Sequence, residues 1–278
     1  MQIMTPKNSA RIAVLIPAYN AQLSIERALA SLAANNEPHD IIIVDDGSSP
    51  PLREWLAPRQ NVKILRMDSN SGITAALNQG LRYILDCGYD YVARMDADDE
   101  ALPERLAIQR SYLDEHPEIA VLGSCGEVVT EQGVTLFYLN HPTDHESIVR
   151  KLRYNNCFLH PSLMLRAQVF REAGLYSELY PSAEDYELLC RLAGRYRMAN
   201  LPRYLIRYTL AEGGISLRTR KRQLQSRLKV QWRYRDWAKS DFYIGLMQTF
   251  ILRMIPVGVV LSIKQKRRCF GRVDVKTA

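Results

Sequence analysis

The chain has 278 residues, with 37 Lys and Arg against 30 Asp and Glu, for a formal net charge of +7. That length allows one large domain or one domain with an appendage, and a core of that size needs no covalent staple. The five cysteines, Cys87, Cys125, Cys157, Cys190 and Cys269, are odd in number and never spaced C-x-x-C, which argues against a disulfide framework or a zinc site and for a reducing, cytosolic setting. The opening "MQIMTPKNSAR" has no apolar stretch of signal-peptide length, so export is not expected.

In chain order, "RIAVLIPAYN" reads as a strand, and "AQLSIERALASLAANN" as a helix with Ile25, Ala28, Leu29 and Leu32 on one face. "DIIIVDDGSS" is a second strand broken by a turn cluster and "NVKILRM" a third. "GITAALNQGLRYILDCG" is a helix carrying Ile73, Ala76, Leu77, Leu81 and Ile84 together. Tyr89 to Met95 makes a fourth strand, and Pro103 opens the next helical pattern. Apolar strands alternating with amphipathic segments predict βαβ units, hence an α/β fold whose mostly parallel sheet carries helices on both faces.

In open sheets of this kind ligands bind beyond the carboxyl ends of the strands. The polar residues fall there. Tyr19 and Asn20 follow the first strand, Asp45 and Asp46 the second, Asn70 and Gly72 the third, and Asp96, Asp98 and Asp99 the fourth. Each cluster alone has an ordinary explanation: Asp46-Gly47-Ser48 is turn chemistry, and Asn70 is placed to cap a helix. Their coincidence at equivalent positions favours a ligand crevice. There is no G-x-x-x-x-G-K-[ST] and no G-x-G-x-x-G after the first strand, which argues against a nucleoside triphosphatase cradle or a dinucleotide site. The crowded acids of "MDADDE" repel one another unless a hard divalent cation and its phosphate arrive.

The ordered set "IPAYN", "VDDGSS", "NSG", "MDADDEALPERLAIQ", "HPEIAVLGS", "HPS" and "SAEDYELLCRLA" resembles family 2 glycosyltransferases of the GT-A fold, from about residue 11 to about residue 216. The resemblance implies an inverting transfer of a sugar from a nucleoside diphosphate donor, usually a UDP-sugar, to an acceptor hydroxyl. By position it implies that Pro17, Ala18 and Tyr19, with Asn20, line the nucleoside pocket and that Asp45 or Asp46 reads the uracil or ribose. Asn70, Gly72 and Asn78 belong to the second nucleotide-proximal segment. Asp96, with Ala97, faces ribose or donor sugar, and Asp98 is the principal ligand of Mn²⁺ or Mg²⁺. Asp99 serves as a ligand or for orientation.

A sugar hydroxyl is a weak nucleophile, so a carboxylate must take its proton. The resemblance assigns this to Asp185, with Glu184 beside it. The same residues also read as helix capping, with Ser182 three positions before Asp185, and a first-turn carboxylate is expected to stay ionised. His160 is either a core histidine or a contact to acceptor or phosphate. Arg94 touches a phosphate or balances the acids. Where many relatives carry a loop histidine this chain has Ala211, which leaves Ser216, Arg218 or Arg220 as substitutes.

Residues 218–235 mix Arg and Lys with Leu224, Leu228, Trp232 and Tyr234, without a recognisable nucleic-acid module. "FYIGLMQTFILRMIPVGVVLSI" then contains Gln248, Arg253 and Pro256. A charge near a bilayer centre costs about 2.5 to 3.5 kcal/mol, so interfacial attachment is expected rather than a span. A helical subdomain packed on the catalytic domain or on a second subunit is the alternative. The domains expected are therefore 1–216, catalytic, and 217–278, a helical extension on the cytoplasmic side of the inner membrane, with a glycan or polyprenyl-linked acceptor. A sugar nucleotidyltransferase would need a glycine-rich basic loop after the first strand, and a silent scaffold would not need a complete set of acids.

Overall fold

The computed structural model describes residues 11–210 and 220–255. Strands β1 (Ile12–Ala18), β2 (His39–Asp45), β3 (Val62–Arg66) and β4 (Tyr91–Arg94) lie parallel in the order β3-β2-β1-β4. Both faces of this half are covered, and for that reason β1 reads as an unbroken apolar run instead of alternating. Ala13 and Leu15 face one core with Leu77, Leu81 and Ile84 of α3 (Ile73–Asp86). Ile12, Val14 and Ile16 face the other with Ile25, Ala28, Leu29 and Leu32 of α1 (Ile25–Ala33). Helix α3 packs so tightly that a Cβ on Gly80 would lie 2.2 Å from Leu15 Cδ1.

Past β4 the sheet continues through β8 (Met164–Arg166), β6 (Ile119–Val129), β9 (Arg197–Thr209) and β5 (Glu100–Ala101), with β7 (Thr135–Leu139) on β6. Strand β8 runs antiparallel between β4 and β6, while β6 and β9 are parallel to each other. The sheet is thus mostly parallel with short reversed strands, as the GT-A fold class predicts. The short helix α2 (Leu52–Trp55) follows β2, and α4 (Arg105–Glu115), α5 (His145–Leu152), α6 (Gln168–Ala173) and α7 (Glu184–Ala193) complete this body.

Helices α8 (Arg220–Arg233) and α9 (Ser240–Met254) pack together, and α8 packs on α7. No described helix is long and apolar enough to cross a membrane. The expected boundary at 216/217, with Ala211, Ser216 and Arg218, lies outside the described residues, as does the apolar stretch beyond 255. Arg220 and Arg227, two of the basic residues in this segment, turn inward. Arg220 donates to the carbonyls of Leu252 (2.6 Å) and Ile255 (2.9 Å), where a helix end carries unsatisfied acceptors.

Candidate active site

The loops after β1, β2 and β3 are stitched into one rim. Asn20 takes a left-handed conformation (φ 49°), tolerable for Asn; its N–H donates to Ser48 Oγ (2.9 Å) and its Oδ1 accepts from Ser49 N–H (3.0 Å). Tyr19 stands beside it half exposed, with Pro17 partly and Ala18 fully covered beneath. Asp46 accepts from the N–H groups of Ser71 (2.7 Å) and Gly72 (2.9 Å), which ties β2's end to the loop before α3. Gly47 has φ +75°, and a Cβ there would lie 2.5 Å from Asn70 N, so only glycine lets these loops meet.

Two expected contacts are corrected here. Asp45 has no exposed surface; it accepts from Ser48 N–H (2.9 Å), Leu52 N–H (2.9 Å) and Arg66 Nη1 (2.6 Å). Burial alone would raise its pKa, but these donors outweigh it and hold the carboxyl below its ordinary value. Asp45 is a pin for the turn, and Asp46, also buried, has both oxygens engaged by the loop before α3. Asn78 is buried, and both ends of its amide are used by the backbone of Tyr176, at 2.9 and 3.0 Å, so it clamps a loop and does not face a ligand. Nor does Asn70 cap α3: the cap is Gly72, with φ 89°.

Beyond β4 one carboxylate oxygen each from Asp96, Asp98 and Asp99 lie within 4.8 Å of one another. Burial first, and Asp96 second, push Asp98 up to about 6; the same two causes and Asp98 push Asp99 well above its ordinary value. Asp99 Oδ1 accepts from Thr209 N–H (2.8 Å), while its buried Oδ2 has no partner. Three crowded carboxylates, one of them with an orphaned oxygen, fit a divalent cation. Glu100, the fourth acid of the run, turns away to Arg27 Nε (3.0 Å). Ala97 is buried between the ligands.

Arg94 ends β4 with its side chain 4% exposed and pairs through Nη2 with Asp96 Oδ1 at 2.5 Å. Of its two expected roles, the structure shows the balancing of acids. Its Nε and Nη1 are buried without partners.

The second acidic pair opens α7. Glu184 is buried with Oε2 unpartnered, and burial, then Asp185, pushes it up to about 7. Asp185 Oδ2 accepts from Asn156 Nδ2 (2.7 Å) and Oδ1 from Tyr186 N–H (2.7 Å). Burial nonetheless raises its pKa, against the expectation that a helix N-terminus would keep it low. The capping reading also fails, because the cap is Ala183 without a side-chain bond and Ser182 sits at φ 63°. His160 Nε2 lies 2.8 Å from Tyr176 Oη, and burial followed by the Arg94 charge keeps the imidazole neutral.

Arg66, Asn156, Tyr176 and Thr209 complete this architecture and were not singled out by sequence reasoning. Arg66 had a signal, a cation at the carboxyl end of a strand beside two acids. The other three act through tertiary contacts.

A sheet with this strand order, a stitched rim at the strand ends and a carboxylate triad beside it define a GT-A type fold. The sequence profile described as "Glycosyl transferase family 2" matches residues 13–174, and the chain belongs to that family. It is 30% identical over 269 residues to the amylovoran biosynthesis glycosyltransferase AmsE of Erwinia amylovora, covering 92% of this chain and 98% of that one. It is 24% identical over 262 residues to an Escherichia coli UDP-Gal:alpha-D-GlcNAc-diphosphoundecaprenol beta-1,3-galactosyltransferase, covering 91% and 93%. The S. aureus TarS 1-349 structure in complex with UDP-GlcNAc superposes with a TM-score of 0.65 at 20% identity, over 88% of this chain and 72% of TarS 1-349.

Proposed function

We propose that this glycosyltransferase moves a sugar, with inversion, from a UDP-sugar to a hydroxyl of a glycan or polyprenyl-linked acceptor in bacterial surface-polysaccharide assembly. The observation that carries the reading is the pairing of two acidic groups of different character in one structure: a mutually repelling triad, Asp96, Asp98 and Asp99, and a separate carboxylate, Asp185, with both oxygens held. The AmsE and galactosyltransferase likenesses support the pathway and the lipid-linked acceptor, and the TarS likeness supports UDP.

Asp98, with Asp96 and Asp99, would hold Mn²⁺ or Mg²⁺, which as a Lewis acid neutralises the charge that the departing diphosphate gathers. Asp185 accepts the proton of the acceptor hydroxyl, and its bonds to Asn156 and Tyr186 fix which lone pairs remain for it. Tyr19 and Asn20 border the nucleoside, with Asp46 setting the loop behind it. The test is UDP, GDP or dTDP release from a panel of nucleotide-sugars with and without Mn²⁺. Metal-dependent release from a UDP-sugar is the expected result, and release only from other nucleotides would overturn the donor assignment.

The acceptor reading places the enzyme on the inner membrane surface. Helix α9 shows Tyr243, Ile244, Met247, Phe250, Ile251 and Met254 to solvent along one stripe, while Phe242, Gly245 and Thr249 face inward. Exposed Lys221, Arg222, Lys229, Arg233 and Arg235 lie on α8 and just beyond it. Apolar side chains beside cations suit an anionic bilayer surface, each cation contributing about 1 kcal/mol. The protein is therefore expected to float with phosphatidylglycerol vesicles and not with phosphatidylcholine ones. Met247→Glu with Phe250→Glu should abolish flotation, and unchanged flotation of that variant would remove α9 from the contact.

A further inference from the structure

The carboxylate assigned to proton removal is held by groups that the chemistry itself does not use. Asn156 Nδ2 donates to Asp185 Oδ2 at 2.7 Å, and Asn156 Oδ1 accepts from Phe158 N–H at 3.0 Å. The second bond fixes which way the amide points. With Oδ1 of Asp185 taken by Tyr186 N–H, the plane of the carboxylate is set from two sides.

The segment that carries Asn156 is in turn held by the C-terminal helices. Arg227 and Gln231 of α8 both donate to the Tyr154 carbonyl, Gln231 at 3.1 Å. Thr249 of α9 donates to Gln231 Oε1 at 3.1 Å. Gly245 of α9 lies directly against this segment: a Cβ there would sit 2.7 Å from Tyr154 Cα and 2.8 Å from Arg153 O. Arg153 pairs with Asp236 (3.7 Å) and Asp241 (3.6 Å). A separate bond runs from Tyr234 Oη to Glu187 Oε1 at 2.6 Å, on the helix that bears Asp185. Both supports of the carboxylate, its hydrogen-bond donor and its helix, thus rest on the same hairpin. The matched family segment ends at residue 174, before α7 and the hairpin begin.

We propose that Asn156 is a positioning residue for the Asp185 carboxylate, and that the α8–α9 hairpin sets it by holding residues 153–156 from behind. This rests on the reading of Asp185 as the base. The hairpin then does more than extend the catalytic body, since a disturbance of it reaches proton removal while leaving the donor side untouched.

A donor lost from a carboxylate disfavours the ionised form, so the base is protonated at higher pH. The groups that face Asp185 are Glu184 and Cys190 on its own helix, Arg94 from β4, and Tyr176 from the loop after α6. None of them changes in the variants used. The experiment is a ¹³C-carboxyl NMR titration of aspartate-labelled protein, the Asp185 signal being assigned by its loss in Asp185→Asn, together with calorimetric UDP binding in Mn²⁺. Asn156→Ala is expected to move the Asp185 midpoint up by about one pH unit with UDP affinity unchanged. Asn156→Asp, of the same size, keeps the fold and should move it further by placing a second acid alongside. Tyr234→Phe and Gly245→Ala should shift it in the same direction by less.

An unmoved midpoint in both Asn156 variants, or a matching loss of UDP affinity, would overturn the positioning role. Movement in these variants but none in Tyr234→Phe and Gly245→Ala would overturn the hairpin's part. Failure of the base reading shows separately, as Asp185→Asn retaining full sugar transfer.

Discussion

Asp98→Asn is expected to lower UDP release at least 10³-fold, which corresponds to about 4 kcal/mol and is within what a bound cation contributes to a departing diphosphate. The three carboxylates share one site, and Asp98 and Asp99 are each kept from ionising freely by burial and by their neighbours. A neutral amide at 98 removes one anionic ligand and one unit of charge. The same change relieves repulsion in the metal-free protein. A carboxyl raised to about 6 costs folding free energy above that pH, so at pH 7.5 the metal-free variant should melt a few degrees higher than the parent. Metal affinity in the parent should fall as pH drops through about 6, because protons then compete for Asp98. Calorimetric Mn²⁺ titration and thermal melting with and without Mn²⁺ check each part. An active, still Mn²⁺-dependent Asp98→Asn would show that the cation lies elsewhere.

The parallel half of the sheet was legible because β1 to β4 are local βαβ units whose apolar runs and turn clusters lie close together in sequence. The other half was not. Strands β6 and β9 pair in parallel although 67 residues separate the end of one from the start of the other, and β8 is three residues inserted antiparallel between β4 and β6. Short strands joined by long-range pairing leave little periodicity to read. The acids of the site were legible as residue types at strand ends, but their division of labour was not. Asp45 and Asp46 are adjacent in sequence, yet one pins a turn and the other ties two loops, a difference made by Arg66 and by the N–H groups of Ser71 and Gly72. The ion pair of Arg94 with Asp96 depends on how β4 ends and carries no signal in the residue types alone. For α7, local signals misled: a serine at the right spacing suggested a cap, whereas the positive φ of Ser182 takes it out of that geometry.

Asp185→Asn is expected to reduce sugar transfer by 10² to 10⁴-fold, the range that general-base catalysis supplies, with UDP affinity in Mn²⁺ within twofold of the parent. The asparagine keeps the size of the side chain and its bond to Tyr186 N–H but has no basic oxygen pair for the incoming proton. Glu184→Gln is the control. Glu184 is 6% exposed and offers little surface to an acceptor, so its loss should cost less than Asp185's even though the two carboxyls adjoin. The pH profile carries the sign. Burial raises the Asp185 pKa, so transfer in the parent should fall on the acidic side at higher pH than an ordinary aspartate would dictate, the base being lost as pH drops through the raised value. In Asp185→Asn that limb should vanish from the residual rate. Transfer by Asp185→Asn at the parental rate, with the limb intact, would move the base to another residue, and Glu184, with its buried unpartnered Oε2, is where the search would turn.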